Sequence, residues 1–232
     1  DIPQYLEDGV VDAAIIGENL LIEQNKKVTV LQKLGFSKCR VSLAVPKSVN
    51  TQGPSYFNGK KIATSYPNTV RKYFSERKIQ PEIHVISGSV EIAPNIGLAD
   101  GICDIVSSGS TLYKNGLKET DIVLKSEAVL ACSTQIKENK KELLNRLMFR
   151  IAAVLRAKNS RYVLMNVPNE KIEKVSSILP VLKSPTILPL AEEGWSSLHS
   201  VIDENMFWEG IDELKTAGAE DIVVTPIDKM VL

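Results

Sequence analysis

The stretch "GICDIVSSGSTLYKNGL", Gly101 to Leu117, opens as an apolar run holding a single acid, Asp104. It then breaks into Ser107-Ser108-Gly109-Ser110-Thr111 and closes on a second, lysine-bearing apolar patch. The pattern predicts a buried strand, a small-residue loop and a helix. Two readings of the loop stand side by side. Free backbone N–H groups at a helix start, a glycine that lets the backbone approach closely and Ser/Thr donors together suit a phosphate. The same residues are also ordinary turn and N-cap residues.

Outward from this stretch the chain alternates strands and helices. "VVDAAIIG", "KVTVLQKL", "CRVSLAVP" (Cys39 to Pro46), "KKIATSYP", "EIHVISG" and "DIVLKSEAVLACS" read as strands. "IPQYLEDG", "ENLLIEQN", "NTVRKYFSERK" (with Asn68 as cap) and "SVEIAPNIGLA" read as helices, and residues 47–59 as a surface loop. This β-α-β-α order predicts a parallel or mixed sheet covered by helices, with ligands beyond the carboxyl ends of the strands. Those ends collect small polar residues: "GEN", "TSYP", "SGSVE" and "SSGST". α/β loops are rich in such residues for purely structural reasons too.

"ENKKELLNRLMFRIAAVLRAKNS" is the longest expected helix, with Leu143, Leu147, Ile151 and Val154/Leu155 as its apolar stripe. It ends at Asn159-Ser160, where the main domain boundary is expected. Beyond it, "RYVLMNVP", "NEKIEKVSSIL", "PTILPLAE", "WSSLHSVID", "NMFWEGIDELKTAG" and "EDIVVTPIDKM" read in the order βαββαβ, a ferredoxin-like unit.

Composition narrows the function classes. The chain has 232 residues, 44% hydrophobic and 24% charged, with 28 basic and 28 acidic residues. A formal charge of zero gives no global field for nucleic acid or an anionic membrane. No apolar run approaches the ~20 residues of a membrane span. Cys39, Cys103 and Cys132 are odd in number and widely spaced, which speaks against a zinc site or disulfide framework and suits a reducing cytosol. His84 and His199 both fall in expected strands, so a Ser-His-Asp set has little support.

"EIAPNIGLADGICDIVSSGSTL" (Glu91 to Leu112) resembles the family motif of ATP phosphoribosyltransferase. "DGVVDAAIIGEN" (Asp8 to Asn19), "GKKIATSYP" (Gly59 to Pro67), "SGSVEIAP" (Ser87 to Pro94) and "SPTILPLA" (Ser184 to Ala191) are similar to that family too. The resemblance spans the chain and points to the long form, whose closing unit binds histidine.

It implies an α/β fold: a two-lobe, periplasmic-binding-protein-like catalytic core plus a C-terminal ferredoxin-like regulatory domain. Lobe I would be residues 1–36 and 122–159, lobe II 37–121 and the regulatory domain 160–232. The implied reaction transfers the phosphoribosyl group of 5-phosphoribosyl-1-diphosphate (PRPP) to N1 of ATP with release of diphosphate. It is the first step of histidine biosynthesis, inhibited by histidine, in a cytoplasmic homo-oligomer of two to six chains. Mg²⁺ would arrive on substrate oxygens, without a dedicated protein cage.

Asp104 and Glu91 would be the catalytic carboxylates, and Ser107, Ser108, Gly109, Ser110, Thr111 and Leu112 the phosphate loop. Asp104 is alternatively a cap of its own loop, and Glu91 an ordinary acid of a helix's first turn. Asp12 and Gly17-Glu18-Asn19 would line the cleft from lobe I, and Thr64, Ser65 and Tyr66 from lobe II. Asp12 could equally be a solvated strand residue and Tyr66 a core tyrosine; Lys61 and Arg71 are possible phosphate partners or simply solvated. Asn166, Leu182, Thr186 and Val224 would take histidine. The family's opening strand and helix, with a Lys-Ser-Gly-Arg-Leu type loop and a further arginine, have no counterpart here, so lobe I is expected to be incomplete and the chain by itself inactive. Two other readings remain: a two-lobe solute-binding module and a non-catalytic sensor.

Overall fold

A computed structural model describes residues 1–51, 53–179 and 184–231. The chain forms two compact units, Asp1–Lys140 and Lys141–Leu232. In chain order the first unit holds α1 (Ile2–Glu7), β1 (Ala13–Gly17), α2 (Glu18–Gln24), β2 (Val28–Lys33), β3 (Cys39–Pro46), β4 (Lys61–Thr64), α3 (Pro67–Ser75), β5 (Glu82–Val85), β6 (Gly101–Val106), α4 (Ser110–Lys114), β7 (Leu117–Ser126) and β8 (Ala128–Ser133). They build two sheets. The smaller has the order β1-β8-β2 and is antiparallel. The larger has the order β5-β4-β6-β3-β7 and is mixed: β4 runs parallel to β5 and β6, while β3 runs antiparallel to β6 and β7.

The larger sheet is buried on both faces, and β3 shows how. Val41, Leu43 and Val45 enter one core with Phe57, Ile62, Val70, Phe74 and Cys103. Ala44 turns the other way, toward Ile102, Val90, Val106, Leu112 and Leu117. Period-2 alternation thus feeds two cores from one strand. Gly101 starts β6 because a Cβ there would lie 2.7 Å from the Ala44 carbonyl oxygen and 2.8 Å from the Phe57 ring.

Four local expectations are corrected. "DIVLKSEAVLACS" is two strands: β7 ends at Ser126 on the larger sheet, and β8 begins at Ala128 in the centre of the smaller one. The expected helix over "SVEIAPNIGLA" is only a 3-10 turn, Val90–Ile92. Pro94 has no N–H to continue a helix, and Ser89 (φ +52°) and Gly97 (φ +74°) bend the backbone left-handed on either side. Tyr66, not Asn68, precedes α3, with Pro67 in its first turn. The surface loop contains a 3-10 turn, Pro54–Phe57, which delivers Phe57 to the core.

α5 (Glu138–Lys158) crosses the division between the units. The expected stripe fails at Leu143, 68% exposed, and at Leu147 and Val154; the helix buries Ala153 and Ala157 instead. Then follow β9 (Ser160–Pro168), α6 (Ile172–Ile178), β10 (Thr186–Pro189), β11 (Trp195–Asp203), α7 (Glu204–Ala217) and β12 (Glu220–Pro226). The sheet order β10-β11-β9-β12, antiparallel throughout, is the ferredoxin-like arrangement. Val163, Met165 and Val167 of β9 meet Leu198, Ile202, Val175, Phe207 and Leu214 in one core. Asp203 caps α7 by accepting from the Asn205 N–H at 2.9 Å, and Gly218 (φ +110°) ends it. Among the described residues no helix is long and apolar enough to cross a membrane.

Candidate active site

A cavity of about 240 Å³ lies at the carboxyl end of β6. Asp104, Glu91, Cys39, Thr111 and the Ser107-Ser108-Gly109 loop line it, and Leu112 forms an apolar wall. Alternation along β6 puts Cys103 into a core, where burial pushes its thiol far up, and turns Asp104 to the cavity face. Burial also holds the Asp104 carboxyl above the usual carboxylate range. The Ile105 N–H and the Ser65 hydroxyl, which donates to Oδ1 at 3.1 Å, pull it back; the charge of Glu91 pushes it further up.

The loop is sparingly satisfied. Ser108 Oγ donates to Ser110 Oγ at 3.0 Å and accepts from the Ser110 N–H at 3.4 Å. The N–H groups of Ser108 and Gly109 find no acceptor among the described residues. Gly109, at φ +81°, turns the chain into α4. α4 is only five residues long, so its macrodipole is weak. Anion affinity must come from the individual N–H and hydroxyl donors. Asp104 and Glu91 present two carboxylates to one space, but among the described residues no group of three His, Cys, Asp or Glu side chains is placed to hold a metal ion. That donor set fits Mg²⁺ carried on substrate oxygens and completed by water.

Of the expected cleft walls, Ser65 reaches the cavity through Asp104. Asn19, Thr64 and Tyr66 are placed differently, at 4%, 0% and 7% exposure. Asn19 Nδ2 donates to the Tyr66 hydroxyl at 2.8 Å, and Asn19 Oδ1 accepts from Ser126 Oγ at 2.9 Å. Thr64 Oγ1 accepts from the Tyr66 N–H at 2.8 Å. One helical turn beyond Asn19, Glu23 accepts from the N–H groups of Asn68 and Thr69 at 2.8 and 2.9 Å and from Thr69 Oγ1 at 2.7 Å. α2 therefore clasps the start of α3 and binds the two sheets together. Gly17 makes room: a Cβ there would sit 2.5 Å from Asn19 Oδ1.

Glu18 accepts from Lys33 at 3.0 Å and lines a second opening of about 330 Å³ with Lys38, Arg40 and Lys125. Asp12 pairs with Lys140 at 2.6 Å. The Lys61 N–H donates to Asp100, and Arg71 donates to Asn68 Oδ1. Nothing local in the sequence points to Glu23, Ser126 or Arg40, the last the single charged residue of β3.

In the second unit Asn166 donates to Asp221 at 3.0 Å and lies opposite Ser197. Thr186 lies opposite His199, whose Nδ1 is 2.6 Å from the Tyr162 hydroxyl. Strand alternation places Asn166 and Thr186 on the face away from the Val163-Met165-Val167 core. Val224 lies opposite Val163, on the other face. Leu182 lies outside the described residues.

Comparison with known proteins identifies the family. The family model described as ATP phosphoribosyltransferase matches residues 1–153, and that of the HisG C-terminal domain matches residues 157–229. A Cytophaga hutchinsonii protein named ATP phosphoribosyltransferase is 56% identical over 231 residues, covering 100% of this chain and 81% of its own length. A Phocaeicola vulgatus protein of the same name is 55% identical, covering 100% and 82%. A solved structure of an ATP phosphoribosyl transferase (HisG:HisZ) complex from Thermotoga maritima matches at 29% identity and TM-score 0.60, over 67% of this chain and 76% of that one. With its two-sheet core and ferredoxin-like closing unit, the chain belongs to the ATP phosphoribosyltransferase family, the transferases that open histidine biosynthesis.

Proposed function

We propose that the cavity at the end of β6 is where this chain joins ATP to PRPP. The observation that carries the reading is the meeting of unsatisfied loop N–H groups with a half-buried carboxylate, Asp104, in one space. The loop from Ser107 to Thr111 holds the 5′-phosphate through the Ser108 and Gly109 N–H groups and the hydroxyls. Leu112 backs it. Asp104 accepts from ribose hydroxyls, with Ser65 steadying the carboxylate. Adenine N1 then forms a bond to the anomeric carbon as the bond to diphosphate breaks, and the electron pair leaves on diphosphate. Positive charge gathers at the sugar centre, and Asp104 and Glu91 stand where they stabilise it. Mg²⁺ brought in with the substrate would supply charge neutralisation of the leaving diphosphate, with Asp104 and Glu91 the carboxylates near enough to meet it through water.

Residues 1–36 and 127–159 are proposed as lobe I, 37–126 as lobe II and 160–232 as the regulatory domain; the expected boundary at 121/122 moves to 126/127 because β7 stays on the larger sheet as far as Ser126. Asp12, Gly17 and Glu18 belong to the smaller sheet's side of the cleft. The outer face of the second unit's sheet, with Asn166, Asp221 and Thr186, offers the amide and acid that a histidine zwitterion would use. A cytoplasmic homo-oligomer of two to six chains is the proposed working form. The test is an absorbance assay of product formation from ATP and PRPP with Mg²⁺, with and without histidine, on the natural full-length protein. Turnover suppressed by histidine supports both assignments; no turnover with both substrates present overturns the catalytic one.

A further inference from the structure

Arg40 stands at the start of β3, paired with Val106, the last residue of β6, on one side and with Lys125 of β7 on the other. Its guanidinium faces three protein acceptors. Nε and Nη2 donate to the two carboxylate oxygens of Glu119 at 2.5 and 2.6 Å, a bidentate fork. Nη1 donates to the Ser107 carbonyl at 2.9 Å. The pair is half-buried, and the Arg40 hydrogen bond holds the Glu119 carboxyl below the usual range even though burial opposes it. Glu119 thus fixes the plane of the guanidinium, and the guanidinium fixes the first carbonyl of the phosphate loop.

A planar trans peptide sets its C=O and N–H in opposite directions. Anchoring the Ser107 carbonyl on Arg40 therefore turns the Ser108 N–H away from Arg40, and that N–H is among the unsatisfied donors of the loop. We infer that Arg40, held by Glu119, is a positioning residue that presets the Ser107–Ser108 peptide for the substrate phosphate, and is not itself a phosphate ligand. The inference rests on the reading of residues 107–111 as the PRPP phosphate loop. Its chemistry explains the residue type. A lysine at this position would be a single ammonium and could not hold a carboxylate in a fork while also reaching the carbonyl.

The test is initial-rate kinetics on the natural full-length protein and on Arg40→Met, Arg40→Lys, Glu119→Gln and the Arg40→Met/Glu119→Gln pair, with Tm measured alongside. Loss of a charge-assisted anchor predicts that Arg40→Met raises KM for PRPP about tenfold, leaving KM for ATP and kcat within about twofold. Arg40→Lys recovers part of the loss, Glu119→Gln gives roughly a threefold rise, and the pair is no worse than Arg40→Met alone, because Glu119 works through Arg40. KM for both substrates rising together, or Tm falling with both KM values unchanged, reduces Arg40 to a structural residue and overturns the inference. A fall in kcat at unchanged KM for PRPP overturns it in favour of direct catalysis. Glu119→Gln, which keeps the side-chain shape, decides the matter if Arg40→Met does not fold. A wild-type protein that fails to turn over brings down the reading of the loop itself, a result separate from any variant's failure.

Discussion

Two regions of the first unit are written in nearly the same alphabet and are used in opposite ways. The α2–α3 clasp and the loop from Ser107 to Thr111 both follow strand ends, and both draw on small polar residues, Ser and Thr in each, with Asn in the clasp and Gly in the loop. In the clasp the polar atoms are buried and partnered: Asn19 with Tyr66 and Ser126, Glu23 with Asn68 and Thr69. In the loop the side chains are exposed, and N–H groups, those of Ser108 and Gly109 among them, are left open beside the half-buried Asp104. A buried polar group stabilises a fold only when its partners are present, whereas an open one is available to a ligand. Residue type is common to both regions. Burial and partnership separate them.

The sharpest way to break the comparison is at Asp104. Asp104→Asn keeps the shape but removes the charge, and turnover is expected to fall on the order of 10²-fold. Stability should move the other way. Burial raises the carboxyl's pKa in the fold, so the unfolded chain releases its proton first. The stability Asp104 contributes is present in full below the ordinary aspartate range and is lost as pH rises through the raised value. The amide introduced by Asp104→Asn does not titrate, so the Tm of the variant should gain on wild type across that window. A pH-independent Tm difference would show that burial does not govern the group.

Glu23 is the matching test of the clasp. Glu23→Ala removes the acceptor for two N–H groups and a hydroxyl at the start of α3, and should cost about 2–4 kcal/mol in urea unfolding. Glu23→Gln keeps one acceptor oxygen but turns an NH₂ against a donor, so it should recover only part of the loss. A Glu23→Ala protein as stable as wild type would mean that the two sheets do not depend on this joint.

The contrast also marks what could be read along the chain. β6, its loop and α4 were legible because an apolar run, a glycine and a turn of helix are local signals. So was the βαββαβ order, in which each element carries its own period. The clasp was not, since Asn19 and Tyr66 meet across 47 residues and each looks like a ligand-binding residue when read alone. Arg40 was missed for the same reason: Glu119 lies 79 residues away, and a cation at a strand end reads as solvated. The break at Glu127 is invisible in "DIVLKSEAVLACS", because apolar periodicity records burial and not which sheet a strand joins. Leu143 and Leu147 fit a helical stripe, yet in this chain α5 buries its alanines.

The smallest effect separates the two readings of Tyr66. Tyr66→Phe keeps the ring in its core with Phe57, Val70 and Phe74 and removes only the hydroxyl that accepts from Asn19. Asn19 retains its two bonds to Ser126, so a single buried donor is left without an acceptor and the cost should be about 1 kcal/mol, read as a modest fall in the urea midpoint. Burial holds the Tyr66 hydroxyl above its ordinary pKa, so it is un-ionised at neutral pH and the loss should not vary with pH there. Both KM values should stay within about twofold, because the hydroxyl faces Asn19 and not the cavity. If Tyr66 instead served a substrate through its hydroxyl, the same variant would raise a KM and spare the midpoint. The two outcomes differ in which measurement moves, so even an effect of this size assigns the residue to the clasp or to the cleft.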